Sequence, residues 1–341
     1  MNAPRSIVIV KLSAIGDVLH GVPVAVALKR AFPAARIGWA VEGRAADVLA
    51  GHPAVDHLFR LPRGWLRSPR TVLALRRQLR WFDADVTVDL QGLLKSAIVT
   101  TLAGAPMRSG HARPESREHA WVAYSHPVVA SAVHVVERNL ALLEPVGCGH
   151  AAPAFDMPRW PVSRQRVERW LTALRLPRPP VVFNPGAGWA SKRWPAERFA
   201  AAARAVAQLD GQPVLVVWGG DQERSVAEGI ASEARGGAIV VPATSLQDLG
   251  ELCRLSRVFV SGDTGPLHLA AAVGTPCVGL FGPVPAARNG PYGRGHVCVE
   301  PAADRRPAWA DRKTDMLCMA AIDVERVVAA TAFALARCRA A

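Results

Sequence analysis

The sequence predicts an α/β protein made of two doubly wound domains, and three observations carry that prediction. Short apolar runs alternate with longer helix-patterned segments, the rhythm of a mostly parallel sheet with helices on both faces. The rhythm stops in a stretch holding Pro153, Pro158, Pro161, Pro177, Pro179 and Pro180, then restarts. Finally, 341 residues exceed one ordinary core and suit two domains of roughly 150 residues each.

In the first half, Ser6–Lys11 reads as a strand and Val18 to Ala31 as a helix, with Pro23 near its start or kinking it. Ile37–Val41 is the next strand and Arg44–Ala50 the next helix. Val55–Leu61 is extended, Val72–Arg80 helical and Val86–Leu90 a strand. In the second half, strands at Val181–Phe183, Val214–Trp218, Ala238–Val241, Val258–Val260 and Cys277–Phe281 alternate with helices at Pro195–Leu209, Ser225–Ala234 and Leu246–Leu255. A short helix opens after Asp263, and a long one covers Asp323–Arg339. The expected layout is a first domain over 1–155, a linker over 156–180 and a second domain over 181–322. The helix over 323–341 is expected to pack back on the first domain. Ligand loops belong at the carboxyl ends of the strands, facing a central cleft.

Composition narrows the function classes. Half of the residues are hydrophobic and 20% are charged, a soluble globular balance. The opening apolar run is broken by Lys11, too early for a signal peptide, and no stretch approaches the ~18 apolar residues of a membrane span. A cytoplasmic protein is expected. The six cysteines are scattered without a C-x-x-C pair, which argues for reduced packing residues over a zinc site or disulfide framework. A net charge of +13 favours acidic partners: nucleic acid, anionic lipid or a phosphorylated substrate.

Four loops carry candidate chemistry. In Val260-Ser261-Gly262-Asp263-Thr264-Gly265-Pro266-Leu267-His268 a strand turns into a helix whose first N–H groups can receive a phosphate, with Asp263 and Thr264 able to cap it. The loop from Asn184 to Pro195 carries Gly186, Gly188, Lys192 and Arg193 and can wrap a pyrophosphate. Trp218-Gly219-Gly220-Asp221-Gln222-Glu223 offers Glu223 to ribose hydroxyls, or simply to a helix first turn. After the first strand, Lys11 to His20 places Gly16 at the turn and Asp17 near the helix start. Position alone favours Asp17 as a cap over a general base.

Between Arg60 and Arg80 lie seven arginines (Arg60, Arg63, Arg67, Arg70, Arg76, Arg77 and Arg80) and no acidic residue, with Trp65 and Trp81 interleaved. One unbroken sign favours an anionic partner, and Arg113, Arg117 and Arg138 extend the patch. Nucleic acid is one possible partner, but no helix-turn-helix, RNA-recognition or zinc-finger signature accompanies the run.

Several motifs then recur in a familiar order: Ile9-Val10-Lys11-Leu12-Ser13-Ala14-Ile15-Gly16-Asp17-Val18-Leu19-His20, Trp39-Ala40-Val41-Glu42, Asp89-Leu90-Gln91-Gly92-Leu93-Leu94-Lys95-Ser96, Lys192-Arg193-Trp194-Pro195, Asp263 to His268, Phe281-Gly282-Pro283 and Gly290-Pro291-Tyr292-Gly293. Together they resemble the ADP-heptose:lipopolysaccharide heptosyltransferases of glycosyltransferase family 9, closest to the type I enzymes. The resemblance spans nearly the whole chain. It implies a GT-B fold, two Rossmann-like domains with the acceptor in the first and the nucleotide sugar in the second. It also implies an inverting transfer of heptose from ADP-L-glycero-D-manno-heptose to the Kdo-lipid A inner core. No metal is implied, and no cofactor besides the ADP-heptose co-substrate.

By the same resemblance Asp17 is the catalytic base, overturning the cap preference, and Lys192 is a donor-phosphate ligand that supports departure of ADP. Gly188, Glu223, Asp263, Thr264, Gly265 and His268 join the donor site. Ser13, Gly16, Arg60, Arg63, Arg67, Arg113 and Arg117 are assigned to the acceptor. Where type I enzymes often carry Thr-Thr in the phosphate loop, this chain has Ala187-Gly188, so backbone N–H groups replace those hydroxyls. The expected partners are a nucleotide-sugar donor and an anionic glycolipid, with no nucleic acid, met by a monomer at the cytoplasmic face of the inner membrane. The competing readings are a transferase of this family with another sugar or a non-lipopolysaccharide acceptor, a nucleotide-sugar epimerase, and a non-catalytic polyanion-binding protein.

Overall fold

A computed structural model of the chain describes residues 3–340. The chain folds as two compact units, Met1–Pro158 and Arg159–Ala341. The first opens with β1 (Ser6–Val10), buried at every residue, which explains its unbroken apolar run: a parallel strand covered on both faces has no solvent side. There follow α1 (Ile15–Ala31), β2 (Arg36–Glu42), β3 (His57–Leu61), α2 (Pro69–Phe82), β4 (Val86–Asp89), α3 (Leu94–Ala103), β5 (Met107–His111), β6 (His126–Val128) and α4 (Val135–Ala141). The strands are all parallel, in the order β3-β2-β1-β4-β5-β6.

The second unit runs α5 (Pro161–Leu174), β7 (Val181–Asn184), α6 (Ala196–Asp210), β8 (Val214–Val216), α7 (Asp221–Glu233), β9 (Ala238–Val240), α8 (Leu246–Arg254), β10 (Val258–Gly262), α9 (Gly265–Ala272), β11 (Cys277–Leu280), α10 (Ala286–Asn289), β12 (Val297–Val299) and α11 (Val324–Ala340). Its parallel sheet, β12-β11-β10-β7-β8-β9, repeats the winding of the first. Strand order therefore reverses between β1 and β4 in one unit and between β7 and β10 in the other. At such a switch point neighbouring loops leave in opposite directions and open a crevice beyond the strand ends. Phe59, Leu75, Leu79 and Phe82 anchor the first core, and Phe183, Phe199, Val260 and Leu280 the second.

The alternating elements expected from sequence are present, with three corrections. α1 starts at Ile15 and holds Pro23 inside it. Residues 43–48 form a 3-10 segment instead of an α-helix. Residues 156–180 are not a plain linker, because Pro161 sits at the first position of α5, where its missing N–H leaves no bond unmade, and α5 packs on α8. Within its own unit α11 packs on α6 and on β10–β12. Its Val327, Ala334 and Leu335 complete the second core. No helix among the described residues is long and apolar enough to cross a membrane.

Candidate functional site

The switch point of the second unit gathers the loop after β7 and the turn after β10. Asn184, the last residue of β7, donates through Nδ2 to Ser261 Oγ at 2.9 Å and to Thr264 Oγ1 at 3.3 Å, stitching the two strand ends together. The β7 loop then turns through a 3-10 segment at Ala190–Lys192. Arg193 closes it by donating from Nε to the Ala187 carbonyl at 3.2 Å, so Arg193 braces its own loop. Lys192 sends its ammonium across the switch point to Asp263 Oδ2 at 2.5 Å, and the His268 imidazole lies 3.1 Å from Asp263 Oδ1. Burial alone raises the Asp263 carboxyl, but the hydrogen bond from His268 and the Lys192 charge hold it below the ordinary carboxylate range.

Neither Asp263 nor Thr264 caps α9, contrary to the expectation from sequence. The Asp263 carboxylate is turned to Lys192 and His268, and the Thr264 hydroxyl bonds Ser261 Oγ at 3.0 Å. The first-turn N–H groups of α9, at the positive end of its dipole, are left without a side-chain acceptor, as an anion receptor requires. Two glycines make the close packing possible. A Cβ on Gly262 would stand 2.9 Å from the Lys192 carbonyl oxygen, and one on Gly186 would stand 2.3 Å from the Glu223 carboxylate. Glu223 thus reaches the β7 loop from the first turn of α7, where it also accepts the Gly219 N–H at 2.8 Å. Gly188 faces open space.

In the first unit the switch point lies between β1 and β4. Asp17 is the third residue of α1, and its Oδ2 accepts the Ala14 N–H at 3.1 Å, the cap geometry that position alone suggested. The turn at Leu12 and Ser13, which leads into Gly16 and Asp17 of α1, is clamped from the other side of the switch point. Gln91 Oε1 accepts the N–H groups of Leu12 at 2.7 Å and Ser13 at 3.3 Å. Lys95 Nζ donates to Ser13 Oγ at 3.3 Å and to Glu42 Oε2 at 2.9 Å. Behind Gln91 lies the fully buried Asp89, which accepts the Gln91 N–H at 2.8 Å and the Tyr124 hydroxyl at 2.9 Å. Burial raises the Asp89 carboxyl despite those donors. On β5, burial and the neighbouring charges of Lys11 and Arg138 push the His111 imidazole down to about 4.

The arginine run does not form one patch. Arg60, Arg63 and Arg67 sit at and beyond the carboxyl end of β3, on the ligand edge of the sheet, with Arg60 paired to Asp47 at 3.1 Å. Arg113 and Arg117 follow β5 on the same edge, Arg113 lying 4.6 Å from the Trp121 ring centre. Arg80, by contrast, is carried about 15 Å along α2 from Arg70 toward the opposite edge. There its guanidinium covers Gly104 at the C-terminus of α3. Of the interleaved aromatics, Trp65 is core and Trp81 is 73% exposed.

Sequence reasoning left Asn184, Gln91, Lys95, Glu42 and Trp189 without roles. Gln91 and Lys95 lay inside a quoted motif. Their signal was position: both follow the strand that faces β1 across the switch point.

Comparison with known proteins places the chain in a family. The model of glycosyltransferase family 9 (heptosyltransferase) matches residues 72–316. The chain is 31% identical to lipopolysaccharide heptosyltransferase 1 of Pseudomonas aeruginosa, over 94% of this chain and 95% of that one. Among solved structures, a family 9 glycosyl transferase from Veillonella parvula superposes with a TM-score of 0.82 at 20% identity, covering 99% of both chains. The Escherichia coli heptosyltransferase WaaC with ADP superposes with a TM-score of 0.76 at 25% identity, covering 96% of this chain and 99% of that one. Motif order, paired Rossmann-like sheets and these likenesses converge: the chain belongs to glycosyltransferase family 9, the heptosyltransferases.

Proposed function

We propose that the protein transfers heptose from ADP-L-glycero-D-manno-heptose to the Kdo-lipid A inner core, with inversion and without a metal. The observation that carries this reading is the Lys192–Asp263 pair beside the uncapped start of α9. It supplies a fixed cation and oriented N–H groups where a departing diphosphate needs them. The relatives support heptose transfer to lipopolysaccharide, since one is a lipopolysaccharide heptosyltransferase and another is a heptosyltransferase solved with ADP.

In the proposed step the acceptor hydroxyl oxygen bonds to the anomeric carbon while the bond from that carbon to the diphosphate breaks. The hydroxyl proton passes to Asp17 and ADP leaves with the electron pair. The hydrogen bond from Ala14 fixes one Asp17 oxygen, and the other serves the acceptor. Gln91 and Lys95 hold the turn that leads into Asp17, and Lys192 with the Thr264–Gly265 turn stabilises the leaving group. Ser13, Gly16, Arg60, Arg63, Arg67, Arg113 and Arg117 serve the acceptor's carboxylates and phosphates.

Contact with an anionic leaflet is supported by the outer face of α2. Arg70, Leu73, Arg77 and Trp81 follow one another at helical spacing, opposite the buried Leu75, Leu79 and Phe82. Incubation with ADP-heptose and Kdo2-lipid A, followed by product mass, tests the reading. A heptosylated lipid with stoichiometric ADP supports it. ADP release without that product redirects it to another acceptor.

A further inference from the structure

The segment between β12 and α11 carries no strand and only short 3-10 turns, yet it is tied to the β7 loop. Ser191, buried beside Lys192, donates through Oγ to the Arg312 carbonyl at 2.9 Å. That tether places the Lys313 ammonium 4.9 Å from the Trp189 ring centre, while the Lys192 ammonium lies 4.5 Å from the same centre. One indole therefore bears two lysines that are a hundred and more residues apart in sequence.

Their electrostatic situations differ. Lys192 is 14% exposed and already paired with the Asp263 carboxylate, which offsets part of the charge that Lys192 offers an incoming anion. Lys313 is exposed, and among the described residues no carboxylate forms an ion pair with it. An aromatic face attracts an ammonium through its quadrupole without cancelling the charge, so the indole holds Lys313 in place while leaving it available to an anion. A diphosphate carries more negative charge than a monophosphate, and a second cation at this spot discriminates between the two.

From this arrangement we infer that Lys313, seated on Trp189, is a second cationic ligand of the donor's diphosphate and selects nucleoside diphosphates over monophosphates. The inference rests on the donor reading above. Lys192 meets the leaving group from the buried side and Lys313 from the exposed side, so Lys313 adds positive charge that no carboxylate among the described residues offsets.

The test is calorimetric titration of the full-length chain with ADP and with AMP at one low ionic strength. Wild type, Lys313→Ala and Lys313→Arg are compared, and thermal melts establish that each is folded. The expected result is about a tenfold loss of ADP affinity in Lys313→Ala, recovery of most of it in Lys313→Arg, and AMP affinity unchanged within about twofold. ADP affinity in Lys313→Ala should also depend less steeply on salt. An unchanged ADP affinity in Lys313→Ala, or equal losses for ADP and AMP, overturns the assignment while leaving the donor reading intact. Failure of the wild type to bind ADP overturns both.

Discussion

Lys192 and Asp263, seventy-one residues apart in sequence, meet at 2.5 Å across the point where the second sheet reverses its winding. The Asp263 carboxylate is 6% exposed and is held from its far side by His268, so it fixes the lysine in a set position before any donor arrives. Removing either partner has different consequences. Lys192→Ala removes the cation and is expected to lower kcat about 10²–10³-fold. Asp263→Asn keeps the cation but frees its side chain, and is expected to raise donor KM with a smaller loss of kcat. Steady-state kinetics on ADP-heptose, with melting curves for both variants, separates the two.

Asp17 has a structural duty and a proposed chemical one, and a pair of substitutions divides them. Asp17→Asn retains an oxygen for the Ala14 N–H and leaves the start of α1 capped, while losing the base. Asp17→Ala loses both. Transfer is expected to vanish in both variants with ADP affinity close to wild type, and only Asp17→Ala is expected to melt lower, by about 1 kcal/mol of stability. Near-normal turnover in Asp17→Asn would remove the base assignment.

Glycine substitutions probe how tightly the loops proposed to bind the donor are packed. A methyl on Gly262 meets the backbone oxygen of Lys192, which cannot swing aside, whereas one on Gly186 meets the mobile end of Glu223. Gly262→Ala is therefore expected to cost about 1–3 kcal/mol and to raise donor KM by displacing the Lys192 backbone. Gly186→Ala should be milder for the fold and act through Glu223. Gly188→Ala, pointing into open space, serves as the control for stability. Urea unfolding and donor KM measured on all three would refute this order if Gly188→Ala were the most damaging.

His111 predicts a pH effect of definite sign. Its imidazole titrates near 4 in the folded chain and near 6.5 when unfolded. Between those values the unfolded chain binds more protons, so stability falls as pH drops from 6.5 to 4, by at most about 3 kcal/mol. The stability difference between wild type and His111→Gln is expected to change over that window and to be flat above pH 7. Guanidinium unfolding at pH 4.5, 5.5 and 7.5 checks it, and a difference independent of pH would contradict it.

Much of this was readable in the sequence, because phosphate loops follow apolar strands and announce themselves with glycine, proline and short polar residues. Lys192, Asp263 and Asp17 were found that way. The destinations of their side chains were not readable. Asp263 looked like a helix cap because Asp is common there, and only the approach of Lys192 and His268 from other segments turns it away. Strands β5 (Met107–His111) and β6 (His126–Val128) were missed because their sequences, MRSGH and HPV, contain no apolar run. Their place in the sheet comes from pairing with β4 and with each other. The arginine run was visible as composition, but the length of α2 divides it between opposite edges of the sheet. Lys313 had no signal at all, since neither period nor motif marks the segment that the Ser191 hydroxyl ties down.

The docking of α11 into the second core has a consequence for how the chain matures as it is made. The first unit has all of its strands once residue 128 has emerged, and it can condense while later segments are still being added. The second unit cannot. Val258 and Val260 of β10, which carry the Asp263 turn, share a core with Val327, Ala334 and Leu335, some seventy residues further along. During synthesis the loops proposed to bind the donor therefore exist for a time on a sheet with part of one apolar face uncovered, and the last helix is the piece that covers it. A nascent chain halted before residue 324 should be captured by holdase chaperones through its second half, with its first half already protease-resistant.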